Sequence, residues 1–350
     1  MDFTRLMLKG DPEFWPLLAS LTREARDFEE LFLLSSLRKK AYARQPDRKA
    51  AKPIRLAMLG GYSLYPLHEL IEHLCETENC PVELWKGDFD NYISEIMDES
   101  SGLYAFAPQV VFLMPSERRC TYTGKLTDKR PLQEAEAQRT VEGLLALARK
   151  VNAQTGAEVL MTNFLLPTRH DPGDFRSRTL GADWSFRKRV NLELGLNAPA
   201  FLRICDWEYL AYRIGGLAAR DERAWFESKQ PCSPALIVEV ARDVTHLIGS
   251  LKRASKKVLV LDLDNTLWGG VIGDDGLEGI ELGDTSPRGE AIKRSKNTLP
   301  HSKTAACCWA CAAKMIWRRR LNRSKNIPKW PCEWRTLYLS RPTGNPKRTT

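Results

Sequence analysis

The sequence of 350 residues contains no apolar run of about eighteen residues, the length that a membrane-spanning helix needs. Asp2 and Arg5 stand near its start and no long apolar segment follows them, so no secretory signal is expected. The nine cysteines are scattered without a disulfide framework, which fits a reducing compartment. These absences predict a cytoplasmic protein with no membrane partner.

Acidic residues are almost missing from residues 293–350, which hold 15 Lys and Arg but a single acid, Glu333. Residues 1–292 hold 38 basic and 43 acidic residues, so the net charge of +9 comes from the terminal stretch alone. The alternative that the chain is a basic nucleic-acid-binding protein therefore depends on that stretch only. We expect no nucleic-acid partner.

Alternating strand and helix patterns predict an α/β fold over residues 53–255. The predicted strands are 54–59, 82–85, 110–113, 158–163 and 201–204, and the predicted helices are 66–75, 132–152, 182–194, 208–214 and 234–251. Helices are also predicted at 14–18 and 28–37, before a polar, basic linker over 39–52. The length suits two or more domains.

A further buried strand, 258–261, ends in Asp262 and Asp264, followed by Asn265, Thr266 and two glycines. Ligands of open α/β sheets bind at the carboxyl ends of strands. Two carboxylates this close repel one another unless a cation lies between them, and Mg²⁺ prefers oxygen ligands. A carboxylate held by Mg²⁺ can attack a phosphoryl group while its neighbour protonates the leaving group. The pattern predicts phosphoryl chemistry at the two aspartates, with Asn265 and Thr266 as candidate substrate contacts; a solvated acidic turn is the alternative.

The run from Val258 to Thr266 resembles the first motif of the haloacid dehalogenase (HAD) superfamily of phosphohydrolases. This resemblance implies that Asp262 is the nucleophile and Asp264 the general acid and base, with Mg²⁺ as cofactor. The continuation, 268–277 and 283–290, is similar to the FkbH-like branch, HAD subfamily IIIC. That branch implies two partners, a phosphorylated three-carbon acyl donor and an acyl carrier protein that receives the acyl unit. Two alternatives stay open: a generic HAD phosphatase on a small phosphate ester, and a non-catalytic remnant that only binds a partner.

The same resemblance implies a doubly wound, SGNH-hydrolase-like (flavodoxin-like) domain over 53–255, followed by an incomplete HAD-like Rossmannoid domain. Ser63 occupies the turn where SGNH enzymes carry their nucleophile. The Asp-x-x-His-Pro motif of such esterases is replaced here by residues 227–231, and Asp243 and His246 lie inside a predicted helix. A serine without a base is not activated. We therefore interpret this domain as a binding or docking module, with Ser63 as a candidate substrate contact.

The loop 168–185 carries Arg169, His170, Asp171 and Arg176. A solvated loop is the simpler interpretation of this polar segment. Contact with a phosphate or with phosphopantetheine is the alternative.

Residues 293–350 show no sustained helical or strand period where FkbH-like proteins continue with a helix and a strand that ends in Cys-Ser-Lys-Asn-Asp. Codons read one frame away across 307–316 permit Leu-Leu-Gly-Val-Cys-Ser-Lys-Asn-Asp. We infer that the reading frame shifts between about Ala291 and Lys296. The predicted division is a helical segment and linker (1–52), the SGNH-like domain (53–255), the start of the HAD-like domain (256–292) and an out-of-frame, disordered tail (293–350). Because the later HAD groups cannot be assigned, we expect that this chain is not a competent enzyme.

Overall fold

A computed structural model describes residues 11, 13–45, 52–169, 172–252, 258–262, 264–276, 278–281, 283–284, 286–304 and 308–311. The chain forms two compact units, residues 1–253 and 254–350. The predicted four-part division stays a prediction.

The first unit alternates strands and helices along most of its length. Its strands are β1 (Ile54–Gly60), β2 (Val82–Lys86), β3 (Val110–Met114), β4 (Glu158–Thr162) and β5 (Leu202–Cys205). Its helices are α1 (Phe14–Glu24), α2 (Phe28–Arg44), α3 (Leu67–Thr77), α4 (Tyr92–Met97), α5 (Gly102–Phe106), α6 (Arg130–Thr155), α7 (Asp183–Leu196), α8 (Trp207–Ile214), α9 (Glu222–Ser228) and α10 (Pro234–Lys252).

The five strands form one parallel sheet in the order β2-β1-β3-β4-β5. This arrangement confirms the predicted doubly wound α/β fold. Strand β3 is buried along its whole length, as expected for a central parallel strand covered on both faces. Strand β2 lies at the edge and is only partly buried.

Successive residues of β1 enter two separate cores, because side chains alternate across a strand. Leu56 and Met58 join the core that α1, α2, α3 and α10 cover. Ala57 and Leu59 join the core on the other face, which α6 and α7 cover. Both faces of the sheet are therefore closed, and its strand ends remain as the place for a site.

The strand order reverses between β1 and β3, and such a reversal opens a crevice at the carboxyl ends of the strands. Two glycines at the end of β1 bring the loops of this crevice together. A Cβ on Gly60 would lie 2.8 Å from the Met114 carbonyl oxygen, and one on Gly61 would lie 2.4 Å from Ser116 Cβ.

Helix α2 corrects the predicted linker, because it runs on through Lys39 to Arg44. Ala41 is buried in this extension, and the Tyr42 ring lies 4.9 Å from the Trp15 ring. Tertiary packing thus overrides the polar composition of the segment. None of the helices in the part of the chain that the structure describes is long and apolar enough to span a membrane.

The second unit contains β6 (Val258–Leu261), α11 (Ile272–Asp275), α12 (Pro287–Thr304) and β7 (Cys308–Cys311). Strands β6 and β7 pair in parallel, with Leu261 opposite Cys311. Helix α12 and β7 reach into the stretch that was predicted to be an out-of-frame, disordered tail, and that disorder stays a prediction. The remainder of the predicted tail, 305–307 and 312–350, lies outside the described residues.

Candidate functional site

The loop after β6 holds the Asp264 carboxylate between two hydrogen-bond donors. The Trp268 indole Nε1–H donates to Asp264 Oδ1 at 3.1 Å, and the Ile272 backbone N–H donates to the same oxygen at 3.2 Å. Trp268 is 2% exposed, so this donor is fixed by the packing around it. Asp264 itself is half-buried, whereas Asp262 at the strand end is exposed. One oxygen of Asp264 is therefore fixed in direction.

Asn265 shapes the turn that follows. Its φ is 55°, in the left-handed region that asparagine tolerates better than most residues. Its N–H donates to the Gly270 carbonyl oxygen at 3.2 Å, and its Oδ1 accepts from the Gly270 N–H at 2.9 Å. Arg288 Nη2 donates to the same Oδ1 at 2.6 Å. The Asn265 side-chain oxygen thus closes the loop, and its predicted substrate contact stays a prediction.

Further contacts tie this loop to the segment before α12. The backbones of Gly269 and Glu281 exchange two hydrogen bonds, of 3.1 and 2.8 Å. The Ser286 hydroxyl donates to the Glu281 carboxylate and accepts from the Gly289 N–H at 3.0 Å. The sequence reasoning missed Trp268 and Arg288 as functional residues. The sequence signal that could have identified Trp268 is its position between the two aspartates and two glycines.

The donor set suits Mg²⁺ but is small. Asp262 and Asp264 supply oxygen atoms only, and Mg²⁺ characteristically takes one or two carboxylates and completes its octahedron with water and substrate phosphate. Among the residues that the structure describes, no group of three or more His, Cys, Asp or Glu could hold a metal ion. Thr266 is exposed in the turn beside the aspartates.

Ser63 lies in the first unit, in the loop after β1. The Ser63 hydroxyl donates to the Tyr65 carbonyl oxygen at 3.2 Å, and its N–H donates to the Lys229 carbonyl oxygen at 3.0 Å. Within the described ranges, no His, Asp or Glu side chain bonds to Ser63 Oγ. Residue His246 is exposed on α10, inside the helix predicted for it.

Ion pairs occupy the crevice at the strand ends of the first unit. Glu117 lies 3.1 Å from Arg187 Nη1 and accepts from two nitrogens of Arg220, at 3.1 and 2.9 Å. The Glu117 N–H donates to the Tyr62 hydroxyl at 2.8 Å. Burial raises the pKa of Tyr62 well above its usual value, and the Glu117 carboxylate raises it further. Two guanidinium groups thus hold the Glu117 carboxylate in ion pairs.

No protein-family model and no curated protein matches the chain. Among solved structures, the chain is similar to the N-terminal part of a Bacteroides fragilis protein that contains a phosphatase domain and was crystallised with Mg. The TM-score is 0.65 at 22% identity, over 83% of this chain and 74% of that one. A lipase from a goat rumen metagenome has a TM-score of 0.42 at 12% identity, over 56% of this chain and 97% of that one. A lipase/acylhydrolase from Enterococcus faecalis has a TM-score of 0.38 at 14% identity, over 57% of this chain and 100% of that one. The first likeness shows a shared fold.

Proposed function

We propose that the second unit carries the nucleophile loop of a Mg²⁺-dependent phosphohydrolase of the HAD type. The observation that carries the proposal is the Asp264 carboxylate, held by Trp268 and the Ile272 N–H, two residues after the exposed Asp262. A turn that only exposed two acids to solvent would have no need of a buried indole donor. The likeness in fold to a phosphatase-domain protein crystallised with Mg supports the same function.

In the proposed reaction, a carboxylate oxygen of Asp262 attacks phosphorus, and the bond from phosphorus to the ester oxygen breaks. Asp264, in its acid form, gives its proton to the departing ester oxygen. Asp264, now a carboxylate, then takes a proton from water as that water attacks the aspartyl phosphate. Phosphate leaves and Asp262 is restored. The two donors on Oδ1 of Asp264 direct its other oxygen to both proton transfers.

If a magnesium ion binds here, the Asp262 carboxylate and the Asp264 backbone carbonyl would hold it, as the HAD resemblance implies. When bound, Mg²⁺ supplies positive charge that offsets the phosphoryl oxygens and the nucleophile. Arg288 is fixed on Asn265 at 2.6 Å and adds a second positive charge to the loop.

The more specific proposal, which we call the finer proposal, is that the chain belongs to an FkbH-like acyltransferase. A phosphorylated three-carbon acyl donor loses its phosphate at the aspartate pair, and the acyl unit passes to the thiol of an acyl carrier protein. The similarity of 268–277 and 283–290 to that branch supports this assignment. The first unit then serves as a docking module, because no His, Asp or Glu among the described residues bonds to Ser63 Oγ.

The experiment compares three proteins: the 350-residue chain, a chain whose reading frame is restored between about Ala291 and Lys296, and the restored chain with Asp262→Asn. The measurement is phosphate release from a generic phosphate ester, with Mg²⁺ or with EDTA. We expect little release from the first, Mg²⁺-dependent release from the second and none from the third, because an amide is a poor nucleophile. The matched control is Asp284→Asn in the restored chain, since Asp284 is exposed and pairs with Lys293 outside the loop.

One outcome contradicts the inferred frame shift and another contradicts the proposed nucleophile. Robust Mg²⁺-dependent release from the 350-residue chain refutes the frame shift, and release that survives Asp262→Asn refutes the nucleophile. Intact mass of an acyl carrier protein separates the finer proposal from a generic phosphatase. A three-carbon mass increase supports acyl transfer, and phosphate release without that increase supports the generic phosphatase.

A further inference from the structure

A cavity of about 480 Å³ lies in the first unit, apart from the crevice that holds Glu117. It is formed by the loops that follow β3 and β4 and by the start of α7, at the carboxyl ends of the strands. Its lining includes Leu126, Pro167, Arg169, Arg176, Asp183 and Trp184. The volume falls in the range of small-molecule sites.

The lining offers hydrogen-bond donors that the protein itself does not use. One nitrogen of Arg176 donates to the Gly173 carbonyl oxygen at 2.6 Å. In the part of the chain that the structure describes, the other Arg176 donors and the Trp184 indole N–H have no hydrogen-bond partner. Such a surplus of donors favours a ligand rich in acceptors.

The acidic groups near these arginines compete weakly for them. Arg169 Nη1 lies 3.2 Å from Glu222 Oε2, but the two side chains are 84% and 55% exposed. Exposed ion pairs of this kind contribute little, whereas a phosphate accepts paired, charge-assisted hydrogen bonds from arginine. Asp183 is exposed at the start of α7. A phosphate can therefore displace Glu222 from Arg169.

The half-buried Trp184 ring gives the cavity an apolar wall. The Arg176 guanidinium lies 6.0 Å from the ring centroid and the Lys188 ammonium 5.2 Å from it. Leu126 and Pro167 add further apolar surface. A ligand that joins an anion to an aromatic or apolar group matches both parts of this lining.

We propose that this cavity is a second ligand site, which binds an organic phosphate or phosphonate through Arg169 and Arg176 and its apolar part through Trp184. The site belongs to the first unit and does not depend on the proposed chemistry at Asp262.

The test is calorimetric titration of the full chain with phenylphosphonate in EDTA, since a phosphonate has no ester bond to hydrolyse. We expect saturable binding that weakens about tenfold in Arg169→Gln and in Arg176→Gln, because each removes a charge-assisted contact. The matched control is Arg189→Gln, on the same helix α7, where Arg189 pairs with Glu193 and does not line the cavity. Trp184→Leu should weaken phenylphosphonate more than methylphosphonate.

Binding that persists in Asp262→Asn and falls in the two arginine variants supports the proposal. Loss of binding in Asp262→Asn with no effect in Arg169→Gln or Arg176→Gln assigns the anion to the other unit and overturns it. Absence of saturable binding at millimolar phenylphosphonate, or equal binding of benzyl alcohol, also overturns it.

Discussion

At the residue scale, His73 is a buried base that the structure keeps neutral. Its Nε2 lies 3.0 Å from the Thr22 hydroxyl oxygen, and that hydroxyl already donates to the Leu18 carbonyl oxygen at 2.7 Å. The ring proton therefore sits on Nε2, and the buried Nδ1 has no partner among the residues described. Burial lowers the pKa of His73 to about 3, helped by the positive charges of Arg38 and Arg242.

This histidine should make the first unit less stable in mild acid. Because the pKa is lower in the folded state than in the unfolded state, the unfolded chain binds the extra proton between the two values, and stability falls as pH drops below about 6.5. Between about pH 7 and pH 5 we expect a loss on the order of 2 kcal/mol. Urea unfolding at several pH values measures it. His73→Leu should remove most of the slope, whereas His246→Gln should keep it because His246 is exposed.

Ser63 allows a second test at the same scale. Its hydroxyl donates to a carbonyl oxygen and contacts no base in the part of the chain that the structure describes, so we expect no hydrolysis of p-nitrophenyl acetate above the buffer rate. Ser63→Ala should leave that rate unchanged. Hydrolysis by the full chain that disappears in Ser63→Ala would instead show an activated serine.

At the scale of elements, the close approach of the loops that follow β1 and β3 depends on the absence of a side chain at Gly61. A Cβ there would lie 2.4 Å from Ser116 Cβ and 3.0 Å from Asp90 Oδ1. Gly61→Ala should cost about 1–3 kcal/mol of unfolding free energy through overpacking. Gly143→Ala is the matched control, since Gly143 lies within α6 with nothing near its Cβ position. It should stabilise by about 0.5–1 kcal/mol, and thermal unfolding of both variants decides the point.

The sequence predicted those strands and helices whose pattern of apolar residues is long and regular. Strands such as β3 are buried on both faces, so they stand out as continuous apolar runs. Helices α4, α5 and α9 have 6, 5 and 7 residues, too few to display a helical period, and they were missed. Helix α2 extends beyond its predicted end at residue 37 because Ala41 and Tyr42 pack against distant residues.

The candidate site was predictable only in its residue types. Asp262 and Asp264 stand out because two acids end an apolar strand. The hydrogen bonds from Trp268 and Ile272 depend on a turn whose direction Asn265 sets, and no periodicity encodes them. The grouping of Glu117 with Arg187 and Arg220 spans 70 and 103 positions of sequence, so spacing gives no hint of it.

At the scale of the whole molecule, the first unit contains the two hydrophobic cores that the described residues form. The buried residues of the two cores run from Phe14 to Ile248, and all belong to residues 1–253. Helix α10 completes one of them, because Leu236, Val240, Val244 and Ile248 are fully buried on a single helix face.

Residues 1–253 should therefore fold without the second unit. We expect this fragment to unfold in one cooperative urea transition whose midpoint matches the main transition of the full chain. A fragment of residues 1–230 should fail to fold, since burying each large aliphatic side chain of α10 contributes roughly 1.5–3 kcal/mol and several are lost together. Circular dichroism and urea titration of the three chains provide the measurement. If 1–253 were unfolded while the full chain was folded, the second unit would have to supply stability that neither core explains.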